Sequence, residues 1–189
     1  MARPREFDTD TAMQGAMRVF WMKGYAATNL PDLLSAMGIT RGSFYKAFDD
    51  KESVYLAALD YYDDKIVSAV VERLGAGRDG SASTCLAFLF AGTGEVADKG
   101  CFICNAMVEL APFNANVAER TGRMAERIRA AIEDVLRRFG IGGNDTHRRE
   151  LSTLVLHLYF GFHAMGRASR SPGDWQARLG RLLGEDGSA

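Results

Sequence analysis

Apolar residues recur three and four positions apart along nearly the whole of this chain, the spacing of one face of an α-helix. Only Pro4, Pro31, Pro112 and Pro172 interrupt 189 residues, and no stretch alternates apolar and polar between turn pairs as a half-buried strand does. The pattern predicts an all-α chain of about nine helices. The first runs from the Asp8-Thr9-Asp10 caps to Lys23, where Gly24 stops it. Two short helices follow, one from Thr28-Asn29 to Gly38 and one from Thr40 to about Ala47. Longer ones are expected over 51–74, 84–97, 102–110, 114–139, 145–168 and 172–183.

Composition narrows the function classes. With 23 Lys and Arg against 24 Asp and Glu the net charge is −1, which argues against a chain that coats nucleic acid indiscriminately and against an acidic tail. Near-neutrality also favours self-association. No run approaches 18 apolar residues, so no membrane span is expected. Three cysteines and a charged start, Met-Ala-Arg-Pro-Arg-Glu, point to free thiols in the reducing cytoplasm.

The most specific signal is residues 28–51, TNLPDLLSAMGITRGSFYKAFDDK. Two short helices are joined by Met37-Gly38-Ile39-Thr40, with Gly38 suited to a left-handed exit, Ile39 as an apolar plug and Thr40 as the next N-cap. Leu33, Leu34, Met37, Phe44 and Phe48, with Val19 and Phe20, form the expected core. That leaves Arg41, Gly42, Ser43, Tyr45 and Lys46 outward. Arg and Ser read base edges, Gly42 permits close approach, and Tyr45 and Lys46 reach phosphate. Thr28, Thr40 and Lys51, the last at a helix N-terminus, complete the expected DNA face. Arg3 and Arg5 lie on an arm suited to the minor groove. Residues 1–51 hold seven Lys/Arg against six Asp/Glu, a charge of +1, so a few placed cations rather than a basic field would carry binding.

Residues 8–62 resemble the N-terminal domain of TetR/AcrR-type transcriptional regulators. The resemblance is carried by Phe20, Lys23-Gly24-Tyr25, Thr28, Asp32-Leu33, the run from Ala36 to Tyr45, Phe48 and Lys51. Pro31, and Ala47 where a phosphate-reaching side chain is common, depart from the pattern. The resemblance implies a helix-turn-helix domain over 1–50 and a helical effector-binding and dimerisation domain over 51–189. It further implies a homodimer on palindromic double-stranded operator DNA, usually a repressor, released by a small ligand.

In the second half, Lys99 to Pro112 looks like the Gly-Cys-x-x-x-Asn-x-x-x-Glu segment of one branch of that family. Cys101 falls at a helix N-terminus, where the dipole stabilises a thiolate, and Cys104 shares its face. Three readings stand at this point: buried hydrophobes, a Cys101/Cys104 thiol switch, or a metal site. His147, His157 and His163 offer no paired spacing for the last, and no metal or other cofactor is expected. The candidate effector pocket is lined by Tyr62, Phe88, Cys101, Asn105, Met124, Ile128, His157 and Phe160. The helix over 145–168 is apolar on more than one face, so Leu151, Val155, Tyr159 and Phe162, with Trp175, Leu179 and Leu182 of the last helix, are expected at a four-helix dimer interface. No nucleophile elbow, phosphate loop or His-Glu-x-x-His appears, so an enzyme is not expected. A helical interaction module and a metal-responsive regulator are the alternatives.

Overall fold

The computed structural model describes residues 8–78, 80–91, 99–166 and 173–185, and among them every regular element is helical. Helix α1 spans Thr9–Lys23, α2 Leu30–Met37 and α3 Arg41–Ala47. Helix α4 spans Lys51–Tyr62 and passes through a π-helical turn, Asp63–Val67, into α5, Ser68–Ala76, with helical dihedrals throughout. Then come α6 (Ala82–Ala87), α7 (Phe102–Glu109), α8 (Ala115–Arg138), α9 (Asp145–Gly166) and α10 (Trp175–Leu183). Counting α4–α5 as one rod gives nine among the described residues, as expected. The helix expected over 84–97 differs: α6 starts at Ala82 and tightens into a 3₁₀ turn at Phe88–Phe90, and residues 92–98 lie outside the described part.

Local chemistry sets the boundaries. Asp8, Asn29, Thr40, Asp50, Ser81, Asn114 and Asp174 each accept a backbone N–H as side-chain N-caps, satisfying donors that a helix leaves free in its first turn. Asn29 forms a reciprocal capping box with Asp32, and Pro31 sits in that first turn at little cost. Gly38 ends α2 in the left-handed region at φ 65°, ψ 30°.

One core runs through both halves. Phe20 and Trp21 of α1, Tyr55 and Tyr62 of α4 and Phe102 of α7 are all buried. Tyr55 stands edge-on to Phe20 at 4.9 Å and to Phe102 at 5.8 Å, and Tyr62 edge-on to Trp21 at 5.3 Å. Below this junction α8 is the central helix, burying Val117, Met124, Ile128, Ile132 and Val135 against α4, α5, α7 and α9. Arg129 of α8 is buried, ion-paired with Glu126 and Glu133 and hydrogen-bonded to Ser152 Oγ of α9 at 2.9 Å, which ties the two long helices together. The π turn coincides with a second tie: Arg127 of α8 pairs with Asp63 and donates to Ser68 Oγ.

Candidate functional site

The chemistry of the first half gathers on α3. Phe44 points inward, fully buried, and stacks obliquely on Phe48 at 5.7 Å. The helical period then turns Arg41, Gly42, Tyr45 and Lys46 outward. Tyr45 is 54% exposed, and the Arg41 guanidinium lies 5.9 Å from its ring centroid. Only the Thr40 hydroxyl comes within 4 Å of where a Cβ on Gly42 would stand, so the start of α3 is open to close approach. Thr40 itself is exposed and accepts the Ser43 N–H at 3.1 Å, with the two hydroxyls 3.0 Å apart.

Two residues expected on this face are committed elsewhere. Thr28 is buried and donates its hydroxyl to the Gly24 carbonyl at 2.6 Å, so it serves the α1–α2 turn rather than offering a side chain to DNA. Lys51 is half-buried over the Tyr25 ring, 4.2 Å from its centroid, and donates to the Tyr25 and Thr28 carbonyls at 3.0 and 3.1 Å. Two of its three donors are therefore spent. The α4 N-terminus it was expected to reinforce is already capped by the Asp50 carboxylate. Arg3 and Arg5 lie outside the described residues.

In the second half the chemistry centres on Cys101. Its thiol is buried and accepts a hydrogen bond from the Tyr159 hydroxyl at 3.9 Å, and the Tyr62 phenol lies close to it. Burial raises the Cys101 pKa, and the N–H groups of Cys104 and Ile103 and the Tyr159 hydroxyl only partly oppose this. Burial also raises Cys104, and it drives Tyr62 and Tyr159 well above their ordinary value. The expected thiolate is thus corrected: desolvation outweighs the helix N-terminus, and a neutral thiol sits between two neutral phenols. Gly100, at φ 71°, turns the chain into α7, and its carbonyl accepts the Trp21 indole N–H at 3.0 Å. Asn105 donates back to the Lys99 carbonyl at 3.1 Å.

The other pocket candidates are dispersed. Met124 and Ile128 are fully buried in the core. Phe88 packs under the Arg73 guanidinium, 4.4 Å from its centroid, and Phe160 lies beside Tyr159. His157 is exposed, on the outer face of α9. The histidine that does face inward is His163, six residues later, with Nε2 3.1 Å from the Leu89 carbonyl and burial lowering its pKa. No group of three or more metal-ligating side chains gathers among the described residues.

The expected dimer face is also rephased. Val155 and Tyr159 are buried within the subunit, and Leu151 and Phe162 are half-buried against its core. Trp175 stacks on Phe90 at 4.3 Å, and Leu179 is buried. The stripe left outward on α9 is Leu154, His157, Leu158, Gly161 and Met165, with Leu182 of α10 also exposed. Met165 is 67% and Leu154 51% exposed.

Known proteins are similar to this chain in sequence and fold. Residues 12–58 match the family described as bacterial regulatory proteins, tetR family. The Escherichia coli K12 repressor ComR is 35% identical over 121 residues, covering 61% of this chain and 57% of that protein. The Bacillus subtilis 168 HTH-type transcriptional regulator YezE is 32% identical over 167 residues, covering 84% of both. Among solved structures, a cysteine mutant of the TetR family regulator CifR, complexed with 26-base-pair operator DNA, is 29% identical, covers 97% of both chains and superposes with a TM-score of 0.74. The reduced form of Escherichia coli NemR, 18% identical over 93% of this chain and 94% of that one, shares the fold with a TM-score of 0.75. With the α2–turn–α3 geometry in place and a relative matched along most of both chains, this protein belongs to the TetR family of transcriptional regulators.

Proposed function

We propose that this protein is a homodimeric repressor that binds a palindromic operator through α3 and leaves it when its effector half takes up a small ligand or is modified at Cys101. The observation that carries the reading is the division of α3 between a buried Phe44 and an outward Arg41, Gly42, Tyr45 and Lys46. Similarity to a CifR form complexed with operator DNA supports the partner, and the ComR repressor supports the sign of regulation. Residues 1–50 read the DNA, and residues 51–189 hold the effector and the partner subunit.

The outward stripe Leu154, Leu158, Gly161 and Met165 supplies the interface on this reading. A second subunit would cover apolar area that a lone chain leaves in water. A modification at Cys101 would have to open its buried site, and it would be felt in α1, because the carbonyl of the preceding Gly100 holds the Trp21 indole. No helix among the described residues is long and apolar enough to cross a membrane, and the protein acts on DNA in the cytoplasm.

A selected operator and a gel-shift titration test this. Arg41→Ala should weaken specific binding by roughly tenfold or more, the cost of one bidentate base contact, with helix content unchanged. Unaltered affinity would remove α3 from the interface. Sedimentation of the complex should give two subunits per operator half-site pair, and one subunit per pair would refute the dimer.

A further inference from the structure

Glu109 closes α7 and reaches out of the effector half. Its carboxylate accepts the Tyr25 N–H at 2.9 Å and the Ala26 N–H at 2.8 Å, both in the turn that leads from α1 into the helix-turn-helix. Gly24 makes room for it. That residue sits at φ 80°, ψ 174°, a conformation open essentially to glycine, and a Cβ there would stand 2.8 Å from Glu109 Oε2. The same turn is also held by Lys51 of α4, whose ammonium donates to the Tyr25 and Thr28 carbonyls. Tyr25 thus has its N–H bound by an anion on α7 and its carbonyl by a cation on α4.

Helix stability does not account for the anion. Both α1 and α7 present their C-terminal ends to it, and the helix dipole disfavours negative charge at a C-terminus. What holds it is the pair of N–H groups of a segment more than 80 residues away. At its other end α7 begins beside Cys101, and Trp21 of α1 is hydrogen-bonded to Gly100 there. Eight helical residues, a length of roughly 12 Å, separate the buried thiol from the clasp.

We propose that Glu109 is the positioning residue that couples the effector half to the recognition helix: α7 is a rod whose displacement at Cys101 is delivered to the α1–α2 turn through the Glu109 carboxylate. This rests on the operator-release reading above. It adds which contact carries the signal. Because α4 holds the same turn, motion of α7 relative to α4 either drags the turn or breaks the clasp, and both reposition α2 and α3.

A double-mutant cycle tests it without relying on thiol chemistry. Cys101→Trp forces an oversized side chain against the start of α7, with Cys101→Met as the milder form should the first not fold. Glu109→Gln keeps the shape and removes the charge and one acceptor. In the full-length parent, the Cys101 variant should weaken operator binding about tenfold or more. Added to Glu109→Gln, it should change affinity less than about twofold. Amide exchange at Tyr25 and Ala26 should rise on the order of tenfold in Glu109→Gln, while exchange in α8 stays as it was.

Equal loss of affinity in both backgrounds overturns the proposal. So does an operator affinity untouched by either Cys101 variant, or unchanged exchange at Tyr25 and Ala26. Treating the parent with N-ethylmaleimide is the separate arm. Failure to release operator there, with the cycle intact, refutes the thiol switch and leaves the coupling standing.

Discussion

Gly15 lies at the crossing of α1 and α2, and its replacement by alanine sets two opposed effects against each other. Alanine is the better helix former by roughly 1 kcal/mol in a helix interior. At Gly15, however, a Cβ would stand 2.7 Å from the Ala36 carbonyl carbon, closer still to its oxygen, and 3.2 Å from the Met37 amide nitrogen. Ordinary contact begins at 3.4 Å, so the carbon alone calls for a shift of about 0.7 Å between two backbones. Neither helix has slack. The rest of α1 buries Ala12, Met13, Ala16, Met17, Phe20 and Trp21, and α2 buries Leu33 and Met37.

Overpacking a tight interior costs about 1–3 kcal/mol, and a clash between backbones cannot be relieved by a rotamer, so the upper end applies. Steric cost therefore exceeds the propensity gain, for a net loss of about 2 kcal/mol and a fall in Tm of roughly 4–8 °C for a chain of this size. Gly122 is the control. It lies exposed inside α8 with nothing within 4 Å of its Cβ position, so Gly122→Ala should stabilise by up to about 1 kcal/mol. Thermal melts of both variants at one protein concentration give the comparison, and a gel shift on Gly15→Ala should show weakened operator binding, since α2 carries α3. If Gly15→Ala melts at or above the parent, the account of the α1–α2 crossing is wrong.

Gly161→Ala should stabilise an isolated subunit, because its Cβ position is open, yet raise the dimer dissociation constant if a partner helix covers the Leu154–Met165 stripe; sedimentation equilibrium that shows an unchanged dimer would move the interface elsewhere. His163 is held neutral by burial, with its pKa below the ordinary 6.5. The unfolded chain then takes up the proton first as pH falls, so this residue removes stability progressively below about pH 6.5. His163→Gln, whose amide still reaches the Leu89 carbonyl, should flatten the acid side of a urea-midpoint profile, and an identical pH dependence would exclude that origin. Cys101 should alkylate slowly at pH 7 and faster as pH rises beyond the usual thiol range, and Tyr159→Phe, which removes a donor that favours the thiolate, should slow it further at fixed pH. A pH-independent rate followed by mass spectrometry would contradict the burial argument.

The helix-turn-helix was legible because its signals are local. Gly38, Thr40 and Asn29 act on backbone groups within three or four residues of themselves, and Phe44 fixes the helical phase of α3. Apart from Thr28, whose hydroxyl turns back to Gly24 four residues earlier, the misreadings depend on what packs from elsewhere in the chain. Helix α9 is apolar on more than one face, so its sequence does not say which stripe is inner. Tyr159 belongs inside because Cys101, 58 residues earlier, receives its hydroxyl. His157 and His163 differ in environment because Leu89 offers a carbonyl to one of them. Cys101 has the N-terminal position that favours a thiolate, but burial, a property of the folded chain, reverses the sign. Thr28 and Lys51 carry the right chemistry for phosphate and spend it on the turn beside them. Glu109 had a signal in the Gly-Cys-x-x-x-Asn-x-x-x-Glu spacing, but only the fold shows the amides it serves.

The boundary near residue 50 is continuous in packing, and this bears on how an effector can act. Tyr55 touches Phe20 and Tyr25 on one side and Phe102 on the other, so no solvent-filled hinge separates the halves at this point. Coupling between ligand and DNA sites is ordinarily about 1–3 kcal/mol. Undoing the aromatic junction would strip several fully buried side chains of their contacts, each worth about 2–5 kcal/mol, far more than an effector of ordinary affinity supplies. A hydrogen bond to a charged group contributes about 1.5–3 kcal/mol, and less at a half-exposed site such as Glu109. The clasp therefore matches the energy of a switch, whereas the junction matches that of the fold. On the release reading, Tyr55 stays packed on Phe20 and Tyr25 as the pivot while the Glu109 contact makes and breaks. Trp21, bonded to Gly100 beside Cys101, sits at the displaced end of α7, so induction should shift its fluorescence and raise exchange at Tyr25 and Ala26.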